Sequence, residues 1–198
     1  MSSVSESYND IIERYKKECP RATPFVCACE KGHVEDVKAM IRGVSNVTAM
    51  VNEKGKNSLG NTSTPLIAAA SKELSDIVKI LLDNNADTAT TDEGGENALY
   101  TAWDNQTTTT IVRLLLNKME LKDINHKDTS GRVPLDLYYD FNTSPIKQQL
   151  IDLIRQKGGQ RADELDTDTS DNDTSNSGSG LKKRKRRKLY LTLSNLKF

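Results

Sequence analysis

The chain has 198 residues, of which 35% are apolar and 5% aromatic, and its 28 Lys and Arg balance 28 Asp and Glu. That is enough for one domain and a tail, but thin for a single round hydrophobic core. The zero net charge hides a segregation, with net −3 over residues 1–160 and net +3 over 161–198, so the first part has no broad cationic field for nucleic acid.

Three cysteines, odd in number and clustered, do not read as a disulfide framework, and they point to a reducing compartment. The opening MSSVSESYND lacks the basic-then-apolar run of a secretion leader. No apolar stretch approaches membrane-spanning length. The expectation is a soluble intracellular protein.

In chain order, residues 1–6 read as disordered. Tyr8, Ile11, Ile12 and Tyr15 recur at helical spacing and predict a helix over 8–18, with Glu13, Lys16 and Lys17 on its polar face. Thr23-Pro24-Phe25 then opens TPFVCACEKGHVEDVKAMI, a short helix, a Gly32-His33 turn and a second helix to Ile41. Arg42 to Ser63 reads as an extended finger loop with too few apolar residues to pack. Thr64 suits a helix N-cap and Pro65 the first helical position. Ala68 to Ala70 make a thin helix that a neighbouring backbone can approach. Glu73-Leu74 forms the next turn, with Leu74 packing inward, and Ser75 can cap the second helix. Ile77, Val78, Leu81 and Leu82 form its apolar face, and Asn84-Asn85 ends it.

A third pair opens at Asn97-Ala98-Leu99, is irregular around Thr107 to Thr110, and continues as the apolar helix Ile111 to Leu116. Gly94-Gly95 is a turn before it. A fourth opens at Val133-Pro134-Leu135. Pro145 starts its second helix, Ile146, Leu150, Ile151 and Ile154 face inward, and Gly158-Gly159 stops it. Tyr138 and Tyr139 are expected to cover the exposed end. From Arg161 the composition turns polar and acidic, which predicts disorder. It then turns cationic, with seven consecutive cations at Lys182, Lys183, Arg184, Lys185, Arg186, Arg187 and Lys188.

The four openings are spaced 41, 33 and 36 residues apart, and a helix pair this small must bury its apolar face against neighbours of the same shape. A unit of about 33 residues built from a turn and two helices is the ankyrin period. Thr23-Pro24-Phe25 with Gly32-His33 and Thr64-Pro65-Leu66 with Ala69-Ala70 and Asn85-Ala86-Asp87 carry the resemblance to the ankyrin-repeat family. So does Asp123-Ile124-Asn125 with Asp128, Gly131 and Val133-Pro134-Leu135-Asp136. The resemblance implies an all-α solenoid of about four helix-turn-helix repeats over 21–160. The helix at 8–18 suits the wet end unit such an array needs, giving an N-terminal arm and capping helix over 1–20, and composition gives a disordered acidic-then-basic tail over 161–198. Departures are Glu73-Leu74 for the usual Gly-His and Trp103 for a usual small residue.

Chemistry is sparse. Cys27, Cys29 and His33 do not make a metal site, because residues two apart on a helix point apart and no fourth ligand stands at zinc-like spacing. Cys29 is expected to be buried and Cys27 more exposed. The resemblance gives His33 a structural hydrogen-bonding role in its turn. His126 lies a repeat away from it, so no nucleophile–base set can be drawn, and no glycine-rich phosphate loop is present. The expectation is a non-enzymatic module with no cofactor and no metal.

What remains is binding. The resemblance implies a concave face of turn tips and first helices that docks a partner protein. Mapped by position, its candidates are Glu30, Lys31, Ser71, Lys72, Glu96, Tyr100, Thr101, Trp103 and Asp104. Trp103 is the sharpest of them, because Trp often dominates interface energy. The run Lys182 to Lys188 resembles a one-part nuclear-localisation signal for an import receptor, which favours the nucleus over the cytoplasm. The alternative is that this run contacts nucleic acid or an anionic membrane. The acidic stretch before it can mask it, the more so if Ser170 is phosphorylated. The final Leu189 to Leu193 resembles kinase-docking and leucine-alternating repression motifs.

Overall fold

The computed structural model describes residues 6–102, 108–140 and 145–165. Expectations that fall on Trp103, Asp104, Thr107, Ser144 and residues 166–198, the cationic run among them, lie outside these residues. Within them the chain is a stack of helix pairs. Helix α1 (Tyr8–Glu18) is followed by α2 (Pro24–Lys31), α3 (Val34–Gly43) and α4 (Val47–Val51). A two-stranded antiparallel ribbon, β1 (Gly55–Lys56) with β2 (Thr62–Ser63), then leads into α5 (Pro65–Ser71) and α6 (Ser75–Asp83). Next come α7 (Ala98–Thr101), α8 (Thr108–Leu116), α9 (Leu121–Ile124), α10 (Pro134–Asp140), α11 (Lys147–Gln156) and α12 (Ala162–Leu165).

The helices form two layers. One layer runs α2, α5, α7, α10, and the other α3, α6, α8, α11, each helix packing on the next of its layer. The apolar faces read from the sequence are the seam between them. Val37, Met40, Ile77, Val78, Leu81, Ile111, Val112, Leu115, Leu150 and Ile154 are all buried there. Thin helices make the close stacking possible, and Ala68, Ala69 and Ala70 are buried on α5 between its neighbours. Thr64 caps α5 as expected, its hydroxyl accepting from the Ile67 N–H at 3.2 Å. Thr23 does not cap α2 with its side chain. Its hydroxyl instead accepts from the Lys56 N–H at 3.0 Å, tying the ribbon to the first repeat. Glu73 takes the left-handed conformation (φ 61°) that the family's glycine would supply, and Asn85 does the same at the end of α6 (φ 63°). Ser75 is the first residue of α6 and Leu74 its N-cap, so Ser75 does not act as the cap.

Helix α1 has the limits its spacing predicts. Ser7 and Asp10 close its first turn in a reciprocal capping box. It packs on α2 and α3, and a polar cluster fixes it there. The buried Tyr15 hydroxyl donates to Asp36 Oδ2 at 2.8 Å and lies 2.5 Å from His33 Nδ1. With its single proton given to Asp36, that hydroxyl accepts from an Nδ1–H on His33. Arg14 reaches the same Asp36 at 3.0 Å, and Lys31 reaches Glu18 at 2.7 Å.

Repeats are also joined by amide rungs. Asn52 donates to the Asn85 carbonyl at 3.1 Å and accepts from the Asp87 N–H at 2.6 Å. Asn125 does the same one junction later, with the Gly158 carbonyl at 3.0 Å and the Gln160 N–H at 2.8 Å.

Six further expectations are corrected. The segment 42–63 is not simply an extended loop. Asn46 caps α4, accepting from the Ala49 N–H at 2.9 Å, and Val51 is 1% exposed in the core. The cysteines do not remain unpaired: Cys19 and Cys27 are joined, their Cα atoms 6.8 Å apart. Cys27 is fully buried rather than exposed, because the turn at Pro20 to Ala22 folds α1 against α2 and lays Cys19 over it. Tyr138 does not face the open end. It points back into the third repeat, within hydrogen-bonding reach of the Leu99 and Ala102 carbonyls, and Tyr139 alone stands towards the end, beneath the guanidinium groups of Arg155 and Arg161. Pro145 lies in a turn, and α11 begins at Lys147. The packed unit also runs beyond 160, since α12 docks through Arg155–Glu164 at 2.5 Å and Arg161–Asp136 at 2.8 Å.

Candidate binding face

Three turns of one design stand at the tips between repeats. In each, an Asn or Asp side-chain oxygen accepts two backbone N–H groups, and a glycine three residues on takes a left-handed conformation. Asn57 Oδ1 accepts from Leu59 and Asn61 at 3.1 and 3.0 Å. Asp92 Oδ1 accepts from Gly94 and Glu96 at 2.8 and 2.9 Å. Asp128 Oδ1 accepts from Ser130 and Arg132 at 2.8 and 2.9 Å. The glycines are Gly60, Gly95 and Gly131, at φ 86°, 78° and 77°. Such side-chain-closed turns are stiff because one side-chain oxygen restrains two backbone donors at once.

The tips are laced together. Lys56 on the first reaches Glu93 on the second at 3.2 Å, and Glu93 also accepts from the Thr62 hydroxyl. Glu96 on the second reaches Arg132 on the third at 3.3 Å, and the Thr129 N–H donates to the Gly94 carbonyl at 2.9 Å. The bond from Thr62, and then Lys56, hold the Glu93 carboxyl below its ordinary value. Burial, and then the nearby Asp92 charge, push Glu96 above its own.

The residues expected on this face divide into groups. The Glu30 carboxylate is turned to the first tip, accepting from the Ser58 N–H and hydroxyl at 2.7 and 2.9 Å, with Lys72 3.8 Å away. Lys72 remains half exposed beside it. Ser71 is exposed, its hydroxyl donating to the Ala68 carbonyl. Thr101 is half-buried and donates to the Ala98 carbonyl. Lys31 is turned the other way, to Glu18 of α1. Tyr100 is a correction: it is 1% exposed, with its hydroxyl among the carbonyls of His126 and Arg132 in the next repeat. It offers no surface to a partner, and it anchors the third tip. Trp103 and Asp104 lie outside the described residues.

Sequence reasoning passed over the first tip. Leu59 stands 73% exposed at its apex, held by Asn57 and by the Glu30–Ser58 bonds. The signal was the recurrence of Asn or Asp, two residues and a Gly at positions 57, 92 and 128. A small cleft of about 240 Å³ lies elsewhere, between Gly32-Val34 and Glu73 to Ile77. Its volume is below the usual range for a small-molecule site. Among the described residues no group of three or more His, Cys, Asp and Glu is placed to hold a metal ion. Among the same residues no helix is long and apolar enough to cross a membrane.

This is the architecture of stacked ankyrin units, and the sequence comparison agrees. The family model described as ankyrin repeats (3 copies) matches residues 3–92 and 28–128. The chain belongs to the ankyrin-repeat family. Its repeats are of a kind that generally mediates protein–protein interaction and is generally non-enzymatic. The search of curated proteins found no match.

Proposed function

We propose that this chain is a non-enzymatic module that docks a partner protein on the face formed by the three tips and the exposed ends of the first helices. Leu59, Lys72 and Ser71 are its accessible centre, and Thr101 extends it into the third repeat, where Trp103 and Asp104 follow in sequence. The observation that carries this reading is Leu59. A large apolar side chain is held out in water by a turn that two side chains, Asn57 and Glu30, exist to stiffen. A preorganised anchor loses little freedom on binding, and it stands beside a half-exposed cation.

The test is site-specific photo-crosslinking in cell extract. A crosslinker at position 59 is expected to trap a discrete adduct that Lys72→Glu weakens about tenfold, while one at Lys79 on the opposite layer traps none. Equal trapping at both positions refutes the reading.

The cationic run Lys182 to Lys188 supports a second part of the proposal, recognition by a nuclear-import receptor. Neutralising the seven cations is expected to abolish nuclear accumulation, and an unchanged distribution refutes it. If the same run instead holds nucleic acid or an anionic membrane, its binding falls steeply with salt.

A further inference from the structure

The bond between Cys19 and Cys27 has no part in the docking face. Cys19 is the residue that ends α1 and is 7% exposed, while Cys27 lies fully buried on α2. Their Cα separation of 6.8 Å is at the upper end of what a disulfide spans. The two helices do not depend on sulfur to meet. Tyr15, Arg14 and Glu18 already hold α1 to His33, Asp36 and Lys31. Opening the bond therefore leaves a docked but looser helix, and closing it ties the helix down.

Cys19 is the less deeply buried of the pair. It sits at a helix end, where local fraying is least costly. The third cysteine, Cys29, is sealed in the core, and burial pushes its thiol well above the ordinary value. It forms no bond with either of the other two.

We propose that Cys19 and Cys27 form a reversible thiol–disulfide exchange site for a small-molecule disulfide of the glutathione type, and that its state sets how firmly α1 caps the first repeat. The Cys19 thiolate attacks one sulfur of the disulfide, whose S–S bond breaks and expels one thiolate, which takes a proton. The mixed disulfide on Cys19 is then attacked by the Cys27 thiolate, and the second small thiol leaves. Two protein thiols are oxidised to one disulfide, and one small disulfide is reduced to two thiols. Reversal loosens the cover over the first repeat, which the Tyr15, Arg14 and Glu18 contacts then hold alone. This inference stands whether or not the docking reading does.

The experiment equilibrates the full chain in mixtures of reduced and oxidised glutathione, quenches in acid, and reads intact mass, disulfide-linked peptides and amide exchange over residues 8–18. The expected result is a loss of about 2 Da and a Cys19–Cys27 peptide pair. Both should vary with the glutathione ratio, and α1 exchange should slow roughly tenfold or more in the oxidised form. Cys29→Ser should leave all of this unchanged, and Cys19→Ser should abolish the mass loss. The inference is overturned by stable glutathione adducts without the internal bond, by a bridge to Cys29, by a bond that excess reduced glutathione does not open, or by equal α1 exchange in both states. Reduced wild type is its own control, so the outcome does not depend on how well the Cys19→Ser variant folds.

Discussion

Tyr15→Phe isolates the polar tip that fastens the capping helix. The ring is fully buried, and phenylalanine fills the same space, so packing is retained and only the hydroxyl is lost. That hydroxyl bonds Asp36 at 2.8 Å and His33 at 2.5 Å. A hydrogen bond to a charged group contributes about 1.5–3 kcal/mol. Asp36 is 22% exposed and keeps Arg14 at 3.0 Å, which places the loss at the lower end, about 1.5 kcal/mol. For a domain of this size that lowers Tm by roughly 3–6 °C. Under reducing conditions, amide exchange in α1 should quicken about tenfold while α10 and α11 at the far end stay unchanged.

The pH dependence follows from Asp36. Burial works to raise its pKa, but the bonds from Tyr15 and Arg14 outweigh it and hold the carboxyl below the ordinary 3.8. A group lowered in the folded state stabilises fully above its unfolded value and loses that contribution as pH falls through its folded one. The difference between wild type and Tyr15→Phe should therefore shrink below pH 3.8. Unaltered Tm and α1 exchange, or a loss matching that of Tyr15→Ala, would refute the reasoning.

Tyr138→Phe removes the single buried hydroxyl proton that the Leu99 and Ala102 carbonyls share and should cost about 1–3 kcal/mol, read as a lower denaturant midpoint at unchanged slope. An unchanged midpoint would show that water replaces the hydroxyl. Thr64→Ala removes the one side-chain cap of α5 and should cost about 1 kcal/mol, whereas Thr64→Ser should recover most of it. Glu164 is held down at about 2, against an ordinary 4.5, first by the Arg155 hydrogen bond and then by the Arg161 N–H. Its hold on α12 is thus complete above pH 4.5 and fades as pH falls to about 2. Exchange over residues 162–165 at pH 6 and pH 3 checks this, and undocking already at pH 6 contradicts it.

The stack was legible wherever a local pattern carried it. Tyr8, Ile11, Ile12 and Tyr15 fixed the limits of α1, and Thr64-Pro65 with Ile77 to Leu82 fixed both helices of the second repeat. What escaped depends on partners distant in the chain. Helix α4 is one turn long, and nothing in its own residues shows that Val51 reaches the core. Helix α12 is docked by ion pairs beside the packing of Ala162 and Leu165. Asp136 is twenty-five residues from Arg161, and no periodicity reveals such a pair. Tyr100 looked like a surface aromatic because the carbonyls that bury its hydroxyl belong to the following repeat. Counting cysteines argued against a bond that a tight turn at Pro20 makes natural. Of the proposed face, position alone pointed to Glu30 and Lys72, which lie beside the first tip, but Leu59 was hidden inside what read as an unstructured insertion.

The amide rungs at Asn52 and Asn125 bear on how a protein like this changes length. Each grips backbone thirty-three and thirty-five residues ahead, a stride of one module, so the fastening travels with the unit and not with its address. A duplicated segment that carries its own asparagine arrives with its coupling already attached, and one lacking it must supply another joint. Growth by whole cassettes is thereby easier than growth by a few residues.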